Sequence, residues 1–275
     1  MSRQAGSQSP SYQIIQLLNP SASPRLGGQI VGYYRSLVAR WGPQNWWPAQ
    51  TRLEVIVGAY LTQNTNWSNV EKAIANLRRA RVLSIKALRE LPSHELEQLI
   101  RPSGYFRQKA KRLKAFISFL DANYSGSLDR MFAEPTEKLR AALLALNGVG
   151  PETADSILLY AGNHPVFVVD TYTRRILERH AMVSSNAKYD EIRLLIEAAI
   201  SSAAPEQLTT DQHGSDPRHP VSRMSRARRT ELAQHYNELH ALIVRAGNLH
   251  CRGTPDCQGC PLQKFLPSQV KQQPR

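Results

Sequence analysis

The chain has 275 residues, with 35 Lys and Arg against 22 Asp and Glu, a formal net charge of +13 at pH 7. That length can bury one sizeable core or two small ones, and the charge points to a polyanionic partner, either a nucleic acid or an anionic membrane surface. No run is apolar enough to span a bilayer, the amino terminus lacks the apolar core of a signal peptide, and three cysteines close to the carboxyl terminus argue for a reducing, cytoplasmic setting and against a disulfide framework.

Residues 1–11 are polar and read as a disordered tail. The spacing of Val31, Tyr34, Leu37 and Val38 predicts a helix over 30–41. A turn-rich stretch follows, Gly42-Pro43-Gln44-Asn45-Trp46-Trp47-Pro48. Its adjacent tryptophans either cover a core edge at a domain junction or offer flat, electron-rich walls to a nucleobase. Leu53 to Leu61 reads as a buried helix, and Thr62-Gln63-Asn64-Thr65-Asn66-Trp67 as a polar loop after it. Ser68 and Glu71 have capping-box spacing and open a helix with Val70, Ala73, Ile74 and Leu77 on its apolar face. Residues 84–120 predict three short helices. The last has Ala110, Leu113, Ile117 and Leu120 on one face and Lys109, Lys111, Arg112 and Lys114 along a basic edge. That edge is either a solvated face or a phosphate contact. Residues 121–127 read as a linker.

The chain is organised around Thr136 to Leu177. Leu139, Leu143 and Leu146 fit one face of a helix; Ala154, Ile157, Leu158 and Ala161 fit one face of a second. Between them, Gly148 and Gly150 flank Val149 and permit a turn that a Cβ would resist. Pro151 suits the first position of the second helix. The amides at such a helix start carry partial positive charge and suit a phosphate, a contact that positions DNA without reading sequence. The plain alternative is an αα-hairpin with a glycine-rich turn. Asp170 then follows Val166-Phe167-Val168-Val169 and precedes a helical pattern from Thr171. Its plain role is a helix N-cap.

Past this stretch, 189–200 predicts an amphipathic helix. Residues 203–229 read as a mobile surface insertion, basic at its end through Arg223, Arg226, Arg228 and Arg229. A helix over 231–246 turns Leu232, Leu239, Leu242 and Ile243 inward, and 267–275 reads as a disordered tail. The cysteines are Cys251, Cys257 and Cys260.

A glycine-flanked hairpin followed about twenty residues later by Val-Asp resembles the helix-hairpin-helix DNA glycosylases of the endonuclease III superfamily, over Ile30 to Leu262. The resemblance implies an all-α fold of two lobes with a DNA-binding cleft between them. One lobe is a helical barrel over 48–154, with the helix-hairpin-helix at 136–161; the other joins 12–47 to 155–266. It implies that Asp170 is catalytic, that Gly148, Val149, Gly150, Glu152 and Thr153 contact DNA, and that Thr62-Gln63-Asn64-Thr65 matches a segment lining the base pocket. Gln63 is then the DNA-facing residue, with Trp46, Trp47 and Trp67 at the pocket. Gly104-Tyr105-Phe106-Arg107-Gln108-Lys109-Ala110 resembles a family turn and makes Lys109 a DNA contact, as Arg252 is in the cysteine loop.

Two departures refine the resemblance. Relatives that bind a 4Fe-4S cluster use four cysteines, whereas this chain has three, with Leu266 about where the fourth would fall. Either Cys251, Cys257 and Cys260 are a degenerate, cluster-free remnant, or His250 or His240 completes a metal site. Relatives that also cut the strand carry a lysine where this chain has Glu152, and a carboxylate cannot form a Schiff base. Together with Trp46-Trp47-Pro48 and Gly150-Pro151-Glu152-Thr153-Ala154, the departures resemble the type III 3-methyladenine DNA glycosylases. The expectation is a monomeric base excision repair enzyme on double-stranded DNA, requiring no cofactor, with no membrane partner and no β-lyase activity. The alternatives are a bifunctional glycosylase acting on damaged pyrimidines and a non-catalytic DNA-binding protein.

Overall fold

The computed structural model describes residues 23–208 and 221–267. The amino-terminal tail, residues 209–220 of the expected insertion and residues 268–275 lie outside the described residues. The described residues form an all-α structure with no strand, only an isolated bridge between Cys251 and Pro255. The helices are α1 (Ser23–Trp41), α2 (Arg52–Leu61), α3 (Trp67–Arg79), α4 (Ile85–Glu90), α5 (Ser93–Leu99), α6 (Phe106–Tyr124), α7 (Leu128–Phe132), α8 (Thr136–Leu144), α9 (Pro151–Ser156), α10 (Thr171–Arg179), α11 (Tyr189–Ser201), α12 (Pro205–Leu208) and α13 (Glu231–Leu249). A π-helical turn, Ile157–Ala161, continues α9.

The chain divides into two compact units, one of Trp47–Val166 with Val221–Arg229, the other of Met1–Trp46, Phe167–Pro220 and Thr230–Arg275. In the first, the hairpin unit, α2 and α9 are central. Leu53 to Leu61 are all buried, as is every residue from Thr153 to Ala161; a helix apolar all round belongs inside a core. Thr51 caps α2 through its hydroxyl, which accepts the Glu54 amide at 3.1 Å. The buried Glu54 carboxylate is paired with Arg78 of α3. The N-cap of α3 lies two residues earlier than the capping-box spacing predicts: it is Asn66, accepting the Asn69 amide at 3.1 Å, and Glu71 instead accepts from the Trp67 indole N–H at 2.9 Å. Helix α6 runs on to Tyr124, through the first part of the expected linker.

One boundary needs correction. The unit ends after Val166, not 154, because a division at 154 would cut a continuous helix whose residues are buried here. In the described parts of the expected insertion, Arg223, Arg226 and Arg228 are exposed, as a basic surface segment would have them, while Ser222 and Met224 anchor the chain. The Met224 amide donates to the Ala49 carbonyl at 3.1 Å and the Ser222 hydroxyl to the Trp47 carbonyl at 3.0 Å, with both residues buried. Arg229 donates to the Met224 carbonyl at 2.7 Å, so its charge folds inward and satisfies backbone oxygens. Leu208, at the end of α12, is also buried.

In the second, the carboxylate unit, the extended segment Phe167–Val169 is buried, with α11 supplying its hydrogen-bond partners and Tyr236 and His240 of α13 beside Phe167. The segment joins no sheet, so side chains satisfy its amides. Phe167 N–H donates to Glu197 at 2.8 Å and Val169 N–H to the Tyr189 hydroxyl at 3.2 Å. Glu197 is in turn held by Arg193 at 3.0 Å. Helix α10 lies against α13 through the Tyr172 ring, which covers Gly247 so closely that a Cβ there would collide with it. The Tyr172 hydroxyl donates to Asn248 at 2.7 Å.

Candidate DNA-contacting hairpin and carboxylate site

Helices α8 and α9 are braced by a buried ion pair, with Arg140 Nε and Nη2 donating to the two Asp155 carboxylate oxygens at 2.7 and 3.1 Å. Gly148 sits at φ +78°, in the left-handed region, where a Cβ would also meet the Arg112 guanidinium. Its glycine is therefore a folding requirement. Gly150 differs from the sequence expectation: its backbone is extended at φ −89° and ψ 174°, and a Cβ there would face open space. A bare backbone at an open position suits close approach by a ligand. The first intrahelical bond of α9 runs from Ala154 N–H to Gly150 C=O at 3.0 Å. The amides that precede it lie outside the helical ladder, where helix starts present them to anions.

Gln63 reaches this turn from the loop after α2. Its amide nitrogen donates to the Gly148 carbonyl at 3.0 Å and lies 2.9 Å from the Thr153 hydroxyl, and its amide oxygen accepts from Arg112 at 2.5 Å. These bonds turn the Gln63 amide and the Thr153 hydroxyl to each other, where the sequence reading turned both to DNA. Gln63 is a latch on the hairpin. Thr153 is buried with its hydroxyl on that latch, and the Val149 side chain is buried as well. Sequence reasoning passed over Arg112 as a hairpin brace and Asn64, exposed beside Gln63 at φ 52°. An asparagine in a polar inter-helix loop is a fair signal for such a conformation.

Lys109 is also corrected. It is 1% exposed, and its ammonium donates to the carbonyls of Leu61 at 2.8 Å and Ser103 at 2.6 Å, ending α2 and a short 3-10 turn. Burial, with the Arg112 charge adding to it, lowers its pKa to about 8. Lys114 similarly donates to the Leu88 carbonyl at 2.7 Å. Of the basic edge of α6, Lys109 is buried, Arg112 and Lys114 are half-buried and Lys111 is exposed.

The tryptophans separate. Trp47 is buried against Gly58 and Tyr160, at 5.1 Å between ring centroids from the latter, and meets the Trp67 ring edge-on at 5.2 Å. It is a core residue, the plainer of the two sequence readings. Trp67 is half-buried with its ring backed by Trp47. Trp46 is half-buried and belongs to the carboxylate unit. Glu152 is exposed in the first turn of α9, where an anion suits the helix dipole.

In the carboxylate unit, Asp170 is the N-cap of α10. Its Oδ1 accepts from both the amide and the hydroxyl of Thr173, at 2.7 and 2.8 Å. Its Oδ2 lies 3.8 Å from Nε2 of His240, which projects from α13 and is held below its ordinary pKa by burial, with Asp170 opposing. The N-cap role is real and uses one oxygen. The carboxylate keeps a second, and the side chain is 12% exposed.

The cysteine loop has a different organiser. Arg179 donates to the Cys251 sulfur at 3.2 Å, to the Arg252 carbonyl at 2.6 Å and to the Gly253 carbonyl at 2.6 Å. The exposed Arg252 turns back to the Asn248 carbonyl at 2.5 Å. His250 Nδ1 is 3.2 Å from the Asp256 carbonyl, and His240 faces Asp170. Among the described residues no group of three or more His, Cys, Asp or Glu is arranged to hold a metal ion. Three sulfurs, one already accepting from a guanidinium, do not match a cluster that takes four thiolates. No helix among the described residues is long and apolar enough to cross a membrane.

A braced hairpin with an open helix start, in an all-α chain that also carries a carboxylate at a helix start, is the combination that a helix-hairpin-helix DNA glycosylase would present. The model of the HhH-GPD superfamily of base excision DNA repair proteins matches residues 57–202. The chain belongs to that superfamily, as an endonuclease III-like base excision repair DNA glycosylase. It is 41% identical to the MJ1434 protein of Methanocaldococcus jannaschii, provisionally named a DNA repair glycosylase, over 86% of this chain and 94% of that one. It is 30% identical to endonuclease III of Thermotoga maritima, over 58% of this chain and 69% of that one. Its fold is similar to that of the 3-methyladenine DNA glycosylase MagIII of H. pylori, solved with 1,N6-ethenoadenine, with a TM-score of 0.62, 26% identity, and 86% and 97% of the two chains covered.

Proposed function

We propose that this glycosylase removes alkylated purines of the 3-methyladenine kind from duplex DNA, without β-lyase activity and without a metal cofactor. The observation that carries the reading is Glu152, a carboxylate in the first turn of the hairpin's second helix, at the position where the strand-cutting relatives carry a lysine. A Schiff base with the abasic sugar needs an amine. The likeness to MagIII supports an alkylated purine.

The chemistry is consistent with a single carboxylate. An enzyme acting on a base within a duplex must extrude it from the stack. A 3-methyladenine is cationic and already a good leaving group, so it needs little help from a general acid. Asp170 Oδ2 stabilises the developing oxocarbenium ion or orients the attacking water, as carboxylates do in glycoside hydrolysis, while Oδ1 keeps the residue on α10. The hairpin amides bind a backbone phosphate. The Trp67 ring, stiffened by Trp47 behind it, favours a cationic base by cation–π attraction worth about 0.5–2 kcal/mol.

The test is release of free base from methylated, oxidised and deaminated duplexes, run alongside borohydride trapping. The expected result is release from methylated DNA and no covalent adduct. A trapped adduct, with release of damaged pyrimidines, would establish the bifunctional alternative instead.

A further inference from the structure

We propose that a cleft in the hairpin unit docks an extended acidic peptide with interspersed apolar side chains, supplied by another protein. The cleft has a volume of about 1250 Å³ and is built from the starts of α2, α4 and α7 and from residues 221–227. All of its lining lies within the hairpin unit. Pockets for small molecules run to roughly 300–1,000 Å³, so this one has room for a segment of chain.

Two kinds of side chain meet there. Arg52, Arg223 and Arg226 stand against one acid, Asp129, which Arg52 already holds at 2.7 Å. Arg223 and Arg226 are exposed, and neither guanidinium pairs with a side chain among the described residues. The backbone that carries them is fixed. The Ser222 hydroxyl donates to the Trp47 carbonyl at 3.0 Å, and the Arg226 amide to the Ser222 carbonyl at 3.2 Å. The apolar part of the lining includes half-buried Leu83, Ile85 and Leu128. It also includes Val221, which at 45% exposure is one of three large hydrophobic side chains that stand exposed among the described residues. Exposed apolar groups beside charge mark contact surfaces.

The mixture selects the occupant. Duplex DNA would offer this cleft phosphates and nothing for its apolar lining, and single-stranded nucleic acid is held by stacking on aromatic rings. No aromatic ring lines the cleft. Clustered arginines bind carboxylates by paired N–H donors, and apolar pockets beside them take alternate side chains of an extended peptide. The terminal segments 1–22 and 268–275 contain no Asp or Glu, so charge complementarity points to a separate chain and not to them.

The test titrates the full-length protein against short fluorescein-labelled probes, read by anisotropy. One peptide alternates Asp with Leu, a second alternates Asp with Ser, and the third probe is a short oligothymidine. The Asp–Leu peptide should bind, at least about fivefold more tightly than the Asp–Ser peptide. Its affinity should fall about tenfold or more in Arg223→Glu/Arg226→Glu, where like charges meet, and about threefold to fivefold in Val221→Ser. Arg35→Glu/Arg40→Glu changes the net charge equally at exposed positions of α1 and should bind as wild type does. Melting and abasic-duplex affinity of the cleft variants should stay at wild-type values, since these side chains are exposed. No binding of the Asp–Leu peptide, equal binding of the two peptides, or equal losses in the two double variants overturns the proposal. Loss of oligothymidine or abasic-duplex affinity in Arg223→Glu/Arg226→Glu also overturns it and assigns the cleft to nucleic acid.

Discussion

Gln63 donates its side-chain amide to the Gly148 carbonyl at 3.0 Å, joining the loop after α2 to the turn of the hairpin. The same side chain takes the Arg112 guanidinium on its oxygen, so one residue both orients the turn and satisfies a half-buried charge. Gln63→Ala should lower stability by about 1–3 kcal/mol, the cost of leaving such a charge without its partner. It should also weaken undamaged and abasic DNA to similar degrees, since the hairpin reads no base. Denaturant melts and binding to both duplexes measure this; a loss confined to damaged DNA would favour a direct role at the base.

The two glycines should separate fold from contact. Gly148→Ala meets a left-handed φ and the Arg112 guanidinium and should cost on the order of 1–3 kcal/mol of stability. Gly150→Val meets open space in an extended conformation, so its melting should be near wild type while affinity for abasic DNA falls. Normal binding by a folded Gly150→Val protein would remove the phosphate clamp from the account.

The tryptophans divide in the same way. Trp47→Ala empties a buried site between Gly58, Tyr160 and Trp67 and should cost about 3–5 kcal/mol. Trp67→Ala should change melting far less and erode the preference for alkylated over normal purines. Competition between methylated and undamaged duplexes reads that preference.

Much of the fold was legible because its helices are amphipathic. Val70, Ala73, Ile74 and Leu77, spaced as one face of a helix, are all buried, and Asp170 stood out as a carboxylate between an apolar segment and a helix start. What sequence could not supply was where long polar side chains end. Lys109 and Lys114 look like surface charge in a basic run, yet their ammonium groups sit on carbonyls of other elements. Gln63 has the right composition for a DNA-facing loop, but its partners Gly148 and Thr153 lie far along the chain. The contact of His240 with Asp170 is equally non-local. Residues 221–229 read as loop by composition, and composition gives no sign that Ser222 and Met224 are buried while Arg223, Arg226 and Arg228 stay exposed.

His180 predicts an acid limit to stability. Burial lowers its pKa from 6.5 to about 4, so it folds neutral beside Tyr33, at 5.3 Å between rings. The unfolded chain binds the proton first, so the stability is fully present above pH 6.5 and is lost as pH falls toward 4. The loss should amount to roughly 3 kcal/mol at most. His164, His235 and His240 are lowered in the same sense by burial and add to the slope. Denaturant melts between pH 7 and 4 should show wild type losing more stability than His180→Gln. Equal slopes would argue that His180 titrates alike in the folded and unfolded protein.

The central claim is that Asp170 supplies a negative charge to the excision step beyond its work as a helix cap. Asp170→Asn tests it most directly, because the amide oxygen can still accept from Thr173 and cap α10 but carries no charge. Single-turnover excision from a 3-methyladenine duplex should fall by about a hundredfold to a thousandfold or more, with the melting curve and abasic-DNA affinity near wild type. Excision near the wild-type rate in a folded Asp170→Asn protein would contradict the account and leave Asp170 as a cap alone.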